Sequence, residues 1–327
     1  MKRSLLILLA AVALAAGCGQ RSGRSGDAAA TPADSLRAFP SVQVPGIYTS
    51  SMERQVYAAE HFWDRFFSGA DGMKCDSVTV CGVPAAELET FFSTYVVLLQ
   101  GIDIGEGRKD IRSLFGKIEA RQLADTLSNV YNVFGRLMDR YLYDPNSPFR
   151  DEDLYQPYLE GLAASPVTDP DLAPSYAFAA RMCSLNAIGT LAANFRFTDA
   201  SGRSRSLYDV KAAYTLLLFS NPGCKSCEDI VKLIKDNAAI SKSVSSGRVA
   251  VVTIYIDDDL KAWRSHLSSL PKEWYNGYDP GMVIRKTPLY NIRGIPSLYL
   301  LDKDKLVIMK DAPENRAISY LEGRLPK

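Results

Sequence analysis

Two kinds of hydrophobic pattern divide the 327 residues. From Ile47 to Gly189 apolar residues recur at three- and four-residue intervals, the period of packed helices. Beyond Gly189 short β-branched and apolar runs alternate with helical stretches, in the order strand, helix, strand and then strand, strand, helix. The fold class expected is an all-α domain over 47–189, followed over 190–327 by an α/β domain whose central mixed sheet is flanked by helices.

Each element has a local cause. Ser50 and Glu53 have capping-box spacing ahead of Val56, Ala59 and Phe62-Trp63, and Pro84 with Glu87 opens a helix through Phe91, Tyr95 and Leu98-Leu99. Further helices are expected over 104–120, 121–143, 151–164 and 172–188, with their aromatic residues as core rather than as a ligand box. No fixed-period repeat is present in this half. In the second half Phe195-Arg196-Phe197 and the turn Asp199–Gly202 start a hairpin, and Tyr214–Phe219 is a strand. The next helix carries Ile230, Val231, Leu233 and Ile234, and the β-branched run 248–256 suits a central strand. A helix over 260–267, strands at 297–301 and 305–309 about the turn Asp302-Lys303-Asp304, and a helix opened by Pro313 complete the chain.

Composition narrows the partners. Lys plus Arg number 38 against 37 Asp plus Glu, so no bulk field recommends nucleic acid or an anionic surface. The N-terminus reads as a targeting segment: Lys2-Arg3 precede an apolar run from Leu5 to Ala16 that is too short for a permanent membrane span. Residues 1–17 are the expected signal peptide. Residues 18–46, rich in Gly, Ser, Ala and Pro, are the expected flexible tether. Such a chain meets an oxidising compartment, where disulfides persist. Cys75 and Cys81 close a short loop, either as a structural disulfide or as two unpaired core thiols, and Cys183 is expected to be a buried small apolar residue.

Cys224-Lys225-Ser226-Cys227 carries the chemistry. It follows the strand 214–219 and the turn Asn221-Pro222-Gly223, and it opens a helical pattern. Two thiols one helical turn apart can close and reopen a disulfide. The first lies at a helix N-terminus, where unpaired N–H groups and the helix dipole favour a thiolate. Cys224 is therefore the expected nucleophile and Cys227 the resolving thiol. Zinc wants four ligands or three plus water, and with no second CxxC or His-rich cluster no metal and no cofactor is expected. His61 and His266, the only histidines, are expected at the surface or as satisfied core residues.

These residues also carry resemblances. Leu14-Ala15-Ala16-Gly17-Cys18 resembles a bacterial lipobox, which implies cleavage before Cys18 and acylation of it, with several acyl chains each gaining roughly 0.8 kcal/mol per buried methylene. Over 190–327 the lead-in Ala193-Asn194-Phe195, the CxxC motif, and Gly294-Ile295-Pro296-Ser297-Leu298 before a strand resemble the tethered thioredoxin-like reductases of the bacterial envelope, used in cytochrome maturation and repair. That resemblance implies a cis bond before Pro296, with Ile295 and Pro296 facing the CxxC motif and orienting substrate. It departs from the pattern at Gly223, where an aromatic is usual, and at Leu218, where many relatives bury an acid, so no carboxylate proton shuttle is expected from that strand. Lys225 would favour a thiolate or simply be solvated, and Glu228 is expected to stabilise the first helical turn rather than act as base. His61-Phe62-Trp63-Asp64 and the run Tyr141–Tyr155 resemble a domain of unknown function that precedes thioredoxin modules in bacterial lipoproteins.

The function expected is a lipid-anchored thiol:disulfide oxidoreductase, a reductase of substrate proteins or of small thiols and disulfides. It would be tethered to the inner or outer membrane of the cell envelope, face the periplasm, and be recharged by an upstream membrane electron donor. A thiol peroxidase is an alternative, although Asn221 stands where such enzymes of this fold want threonine. A non-catalytic binding or envelope lipoprotein with a structural disulfide is the other. The anchor itself is testable: Cys18→Ala should release the protein from membranes or block its processing, and unchanged fractionation and mass would refute it.

Overall fold

The computed structural model describes residues 36–325. The expected signal peptide, Cys18 and most of the expected tether lie outside them. In the helical half, α1 (Ser51–Glu60) and α2 (Asp64–Ser68) precede a two-stranded hairpin, β1 (Thr79–Val80) and β2 (Val83–Pro84). Then come α3 (Ala85–Gln100), α4 (Ile104–Ala124), α5 (Val130–Met138), α6 (Glu152–Ala164) and α7 (Ala173–Ser184). The Ser50/Glu53 capping box forms, with Ser50 Oγ accepting from the Glu53 N–H at 3.1 Å. Trp63 centres the core: rings of Phe39, Phe62, Phe66, Phe92, Tyr95 and Phe134 surround it at centroid distances of 5.0 to 6.3 Å.

The packed chain starts before the expected boundary at Ile47. Phe39 is buried, and Arg37 donates to the carbonyls of Cys81 and Phe66 at 2.8 and 2.6 Å, so one aromatic and one guanidinium fix the chain to the body. The single helix expected over 121–143 is two. At Asp125 the backbone turns extended and its carboxylate accepts from the Leu127 N–H at 3.1 Å, a local bond that competes with the helix. After α5 the chain widens into a π turn over Asp139–Tyr143. The last helix of this half stops at Ser184, short of 188, because Asn186 is left-handed (φ +52°), a conformation asparagine tolerates.

The second half is built on one seven-stranded sheet. Its elements are β3 (Arg196–Asp199), β4 (Ser204–Ser206), β5 (Tyr214–Phe219), α8 (Lys225–Asp236), α9 (Ala238–Ser245), β6 (Val249–Tyr255) and α10 (Leu260–His266). They continue with β7 (Tyr275–Tyr278), α11 (Val283–Lys286), β8 (Ser297–Asp302), β9 (Val307–Met309) and α12 (Glu314–Glu322). The strand order is β4-β3-β7-β6-β5-β8-β9, parallel from β7 through β5 and antiparallel elsewhere, a thioredoxin-like mixed sheet flanked by helices. The strand β7 was not expected, since Asn276 and Gly277 dilute its β pattern. Central β5 is buried on both faces: Leu216 and Leu218 pack toward Ile230 and Ile234 of α8, and Leu217 and Phe219 pack toward Tyr290 and Tyr299.

Asp110 is buried on α4, where burial first, then the charges of Glu60 and Glu106, raise its carboxyl to about 6. A carboxyl raised above its unfolded value stabilises fully below that value and loses its contribution as pH rises through 6. Asp110→Asn should therefore be more stable than the parent by roughly 1 kcal/mol at pH 8 and no more stable at pH 4, as read from urea unfolding at both values.

Candidate functional site

β5 delivers the chain to Asn221-Pro222-Gly223, and Gly223 takes a φ of +75° that an L side chain would strain. Cys224 then caps α8 in extended conformation, its Sγ accepting from the Cys227 N–H at 3.3 Å. The two sulfurs are joined, with the Cα atoms 5.2 Å apart. Cys224 is half-buried at the helix start and Cys227 only 2% exposed, because α8 turns Cys227, Ile230, Val231 and Ile234 onto the sheet. Lys225 and Asp229, one turn apart and exposed, pair with each other, so the lysine charge is partly neutralised. Leu218 is fully buried, and no carboxylate lies on that strand. Asn221 is held by Asp257 at the end of β6, which also pairs with Arg285.

The second motif meets the first through strand register. β5 and β8 run antiparallel with Phe219 opposite Ser297, so the residues just after β5 lie beside those just before β8. The Ile295–Pro296 bond is cis, and the Ile295 carbonyl oxygen lies 3.8 Å from Cys224 Sγ. Residues 71 apart in sequence thus share one site. Such an arrangement presents one sulfur and a stretch of backbone to the same side.

Residues 212–307 match the family described as thioredoxin-like, a span containing both motifs, and residues 17–173 match the domain of unknown function DUF5106. A solved thioredoxin-like protein from Bacteroides caccae is 33% identical and superposes with a TM-score of 0.75 over 89% of this chain and 100% of that one. The thiol-disulfide oxidoreductases ResA of Bacillus cereus and Bacillus anthracis are each 29% identical over 140 residues, 43% of this chain and 78% of theirs. The chain belongs to the thioredoxin-like thiol-disulfide oxidoreductases, with a DUF5106 domain ahead of the redox domain.

In this oxidoreductase the helical half reaches the cis-proline loop through a buried polar network that the sequence did not disclose. Glu152, at the start of α6 and 2% exposed, accepts from Arg293 Nε and Asn291 Nδ2 at 2.7 Å each and lies 3.1 Å from Lys310 Nζ. Burial raises its carboxyl while Lys310 and Arg293 oppose the shift. Arg293 also covers the Tyr143 ring at 3.9 Å and bonds Asp311 at 3.3 Å, and Asp311 accepts from Ser297 Oγ at 2.9 Å. From the other side Arg150 donates to the carbonyls of Asp311 and Ala312 at 2.8 and 3.0 Å. The signal was present in the run Tyr141–Tyr155: its acidic triplet 151–153 begins a helix yet is buried, which requires cations from elsewhere.

Of the remaining cysteines, Cys183 adjoins this network through Asn291. The Cys75–Cys81 bridge, one of two expected alternatives, is not formed: both are free thiols with sulfurs 3.8 Å apart. Cys81 sits left-handed (φ +49°) in the β1–β2 turn, and Cys75 Sγ instead accepts from the Cys81 N–H at 3.2 Å. Its contact with Cys81, opposed by burial and reinforced by Ser128, holds the Cys75 thiol down to about 5, while the same contact and burial push Cys81 up. Cys183 is fully buried beside Asn291, its thiol pushed up to about 12 chiefly by burial. His61 pairs with Asp64 at 2.7 Å and His266 contacts Ser269 at 3.2 Å.

Removing one member of a buried ionic cluster leaves the others uncompensated. Glu152→Ala should therefore cost about 3–5 kcal/mol in equilibrium urea unfolding, well beyond an exposed control such as Glu228→Ala.

Proposed function

We propose that the protein is a lipid-anchored reductase of disulfides in the cell envelope, facing the periplasm, with Cys18 as anchor and Cys224/Cys227 as working dithiol. The observation carrying this reading is the asymmetry of the pair: Cys224 is half-buried at a helix N-terminus against the Ile295 carbonyl, and Cys227 is buried behind it. The Cys224 thiolate attacks one substrate sulfur, forming a mixed disulfide as the other substrate sulfur leaves as thiolate. Cys227 then attacks Cys224 Sγ, releasing the second substrate thiolate and leaving the Cys224–Cys227 disulfide. Ile295 and Pro296 orient the substrate backbone during the first attack.

A membrane dithiol donor upstream returns the two electrons by the same exchange in reverse. The preference for reduction over oxidation rests on the resemblance to tethered reductases, because potentials of such pairs range from roughly −270 to −120 mV and the sequence does not fix them. Among the described residues no helix is long and apolar enough to cross a membrane.

Insulin-disulfide turnover and covalent trapping test the reading together. The parent should reduce insulin. Cys227→Ser should accumulate mixed disulfides with client proteins, and Cys224→Ser few or none. Equal trapping by both variants would refute the assigned roles. No trapping, with no insulin reduction by the parent, would favour a non-catalytic envelope lipoprotein.

A further inference from the structure

Beside the redox pair, and reaching it at Ser226 between the two cysteines, lies a groove with walls of different origin. A cavity of about 550 Å³ is floored by Ile295 and Pro296 and bounded on one side by Ser226, Ile230 and Leu233 of α8. Its opposite side is Pro145, Asn146 and Pro148, a loop of the helical half. That loop lies against the cis-proline loop: the Cβ position of Gly294 is 3.4 Å from Pro145 Cβ, an ordinary van der Waals contact. It is also held at both ends. Ser147 Oγ donates to the Tyr141 carbonyl at 2.6 Å, and Arg150 is tied to the Asp311 and Ala312 carbonyls.

The lining charges are uneven. Arg150 is spent on carbonyls and on Asp311, and Asp229 is paired with Lys225. Glu314, which also lines the groove and is half-buried, forms no ion pair among the described residues. A groove with exposed prolines and Leu233 on its sides and a free carboxylate in its lining suits an extended chain that is apolar or basic. Its volume is that of a small-ligand pocket, too small to admit a folded domain. Resting on the reductase reading above, we propose that the loop Asp144–Arg150 of the DUF5106 domain is the specificity wall of the redox site, and that the groove selects an extended polypeptide segment with a neutral or basic residue beside its disulfide-bonded cysteine.

The test compares disulfide-linked peptides of identical sequence except for Lys or Glu next to cysteine, with dithiothreitol opening of the Cys224–Cys227 bond as the reference reaction. The parent should turn over the Lys peptide about threefold faster in kcat/KM than the Glu peptide, the scale of one exposed charge pair at moderate salt. Glu314→Lys should invert that order. Asn146→Trp, which fills the groove from the helical side, should lower kcat/KM for both peptides at least about tenfold more than it lowers the dithiothreitol rate. A parent that reduces neither peptides nor insulin overturns the reductase reading. A parent that does, with the Asn146→Trp ratio unchanged or the Lys/Glu order insensitive to Glu314→Lys, overturns the wall alone.

Discussion

A carboxylate from one half of the chain, enclosed by cations from the other, holds the molecule together. Glu152 stands between Arg293 and Lys310 with almost no solvent contact. Its desolvation is tolerable only because both cations and the Asn291 amide are already in place. A network of this kind adds little net stability over well-packed apolar residues, but it admits one geometry, since every misalignment leaves a buried charge unpaired. Through Arg293 and Asp311 that geometry is passed to Ser297 and so to the residues flanking the cis bond. The helical half thus takes part in shaping the redox site.

Strand register supplies the other half of the arrangement. Pairing Phe219 with Ser297 brings the end of β5 and the start of β8 to the same edge, where the CxxC turn and the cis-proline loop face each other. The helix dipole and free N–H groups of α8 act at that edge. The asymmetry between a half-buried first sulfur and a buried second follows from α8 lying with one apolar stripe on the sheet.

Much of this was legible because it is local. The CxxC motif, its turn, the capping box at Ser50 and the central place of the β-branched β6 are consequences of neighbouring residues, and periodicity or spacing reveals them. What was illegible is non-local or cuts against propensity. Asp125 ends a helix that its apolar pattern would continue, and Asn276-Gly277 lie in a strand only because β3 and β6 flank them. Phe39 lies in a stretch that reads as tether until the aromatic cluster it joins is assembled. Of the site, both cysteines and Pro296 stood out by motif. Arg293 and Lys310 did not, and Pro145 and Glu152 lay within the Tyr141–Tyr155 run with nothing to show what they pack against, because one residue in a sequence does not name its partner.

The π turn at Asp139–Tyr143 makes chain length itself a constraint. The Asp144 N–H donates five residues back to Asp139, and the wide turn turns its carbonyls outward: Tyr141 to Ser147 Oγ, Leu142 to the Asp151 N–H, Tyr143 to Arg293. An extra residue is being accommodated there. Loss of a single codon would let the segment rewind as ordinary α-helix, rotating everything after it by about 100° and carrying Pro145 away from Gly294. Surface connections elsewhere can lengthen or shorten at little cost, whereas here an insertion or deletion would alter the reading frame of side chains against the redox domain while leaving each of their identities intact.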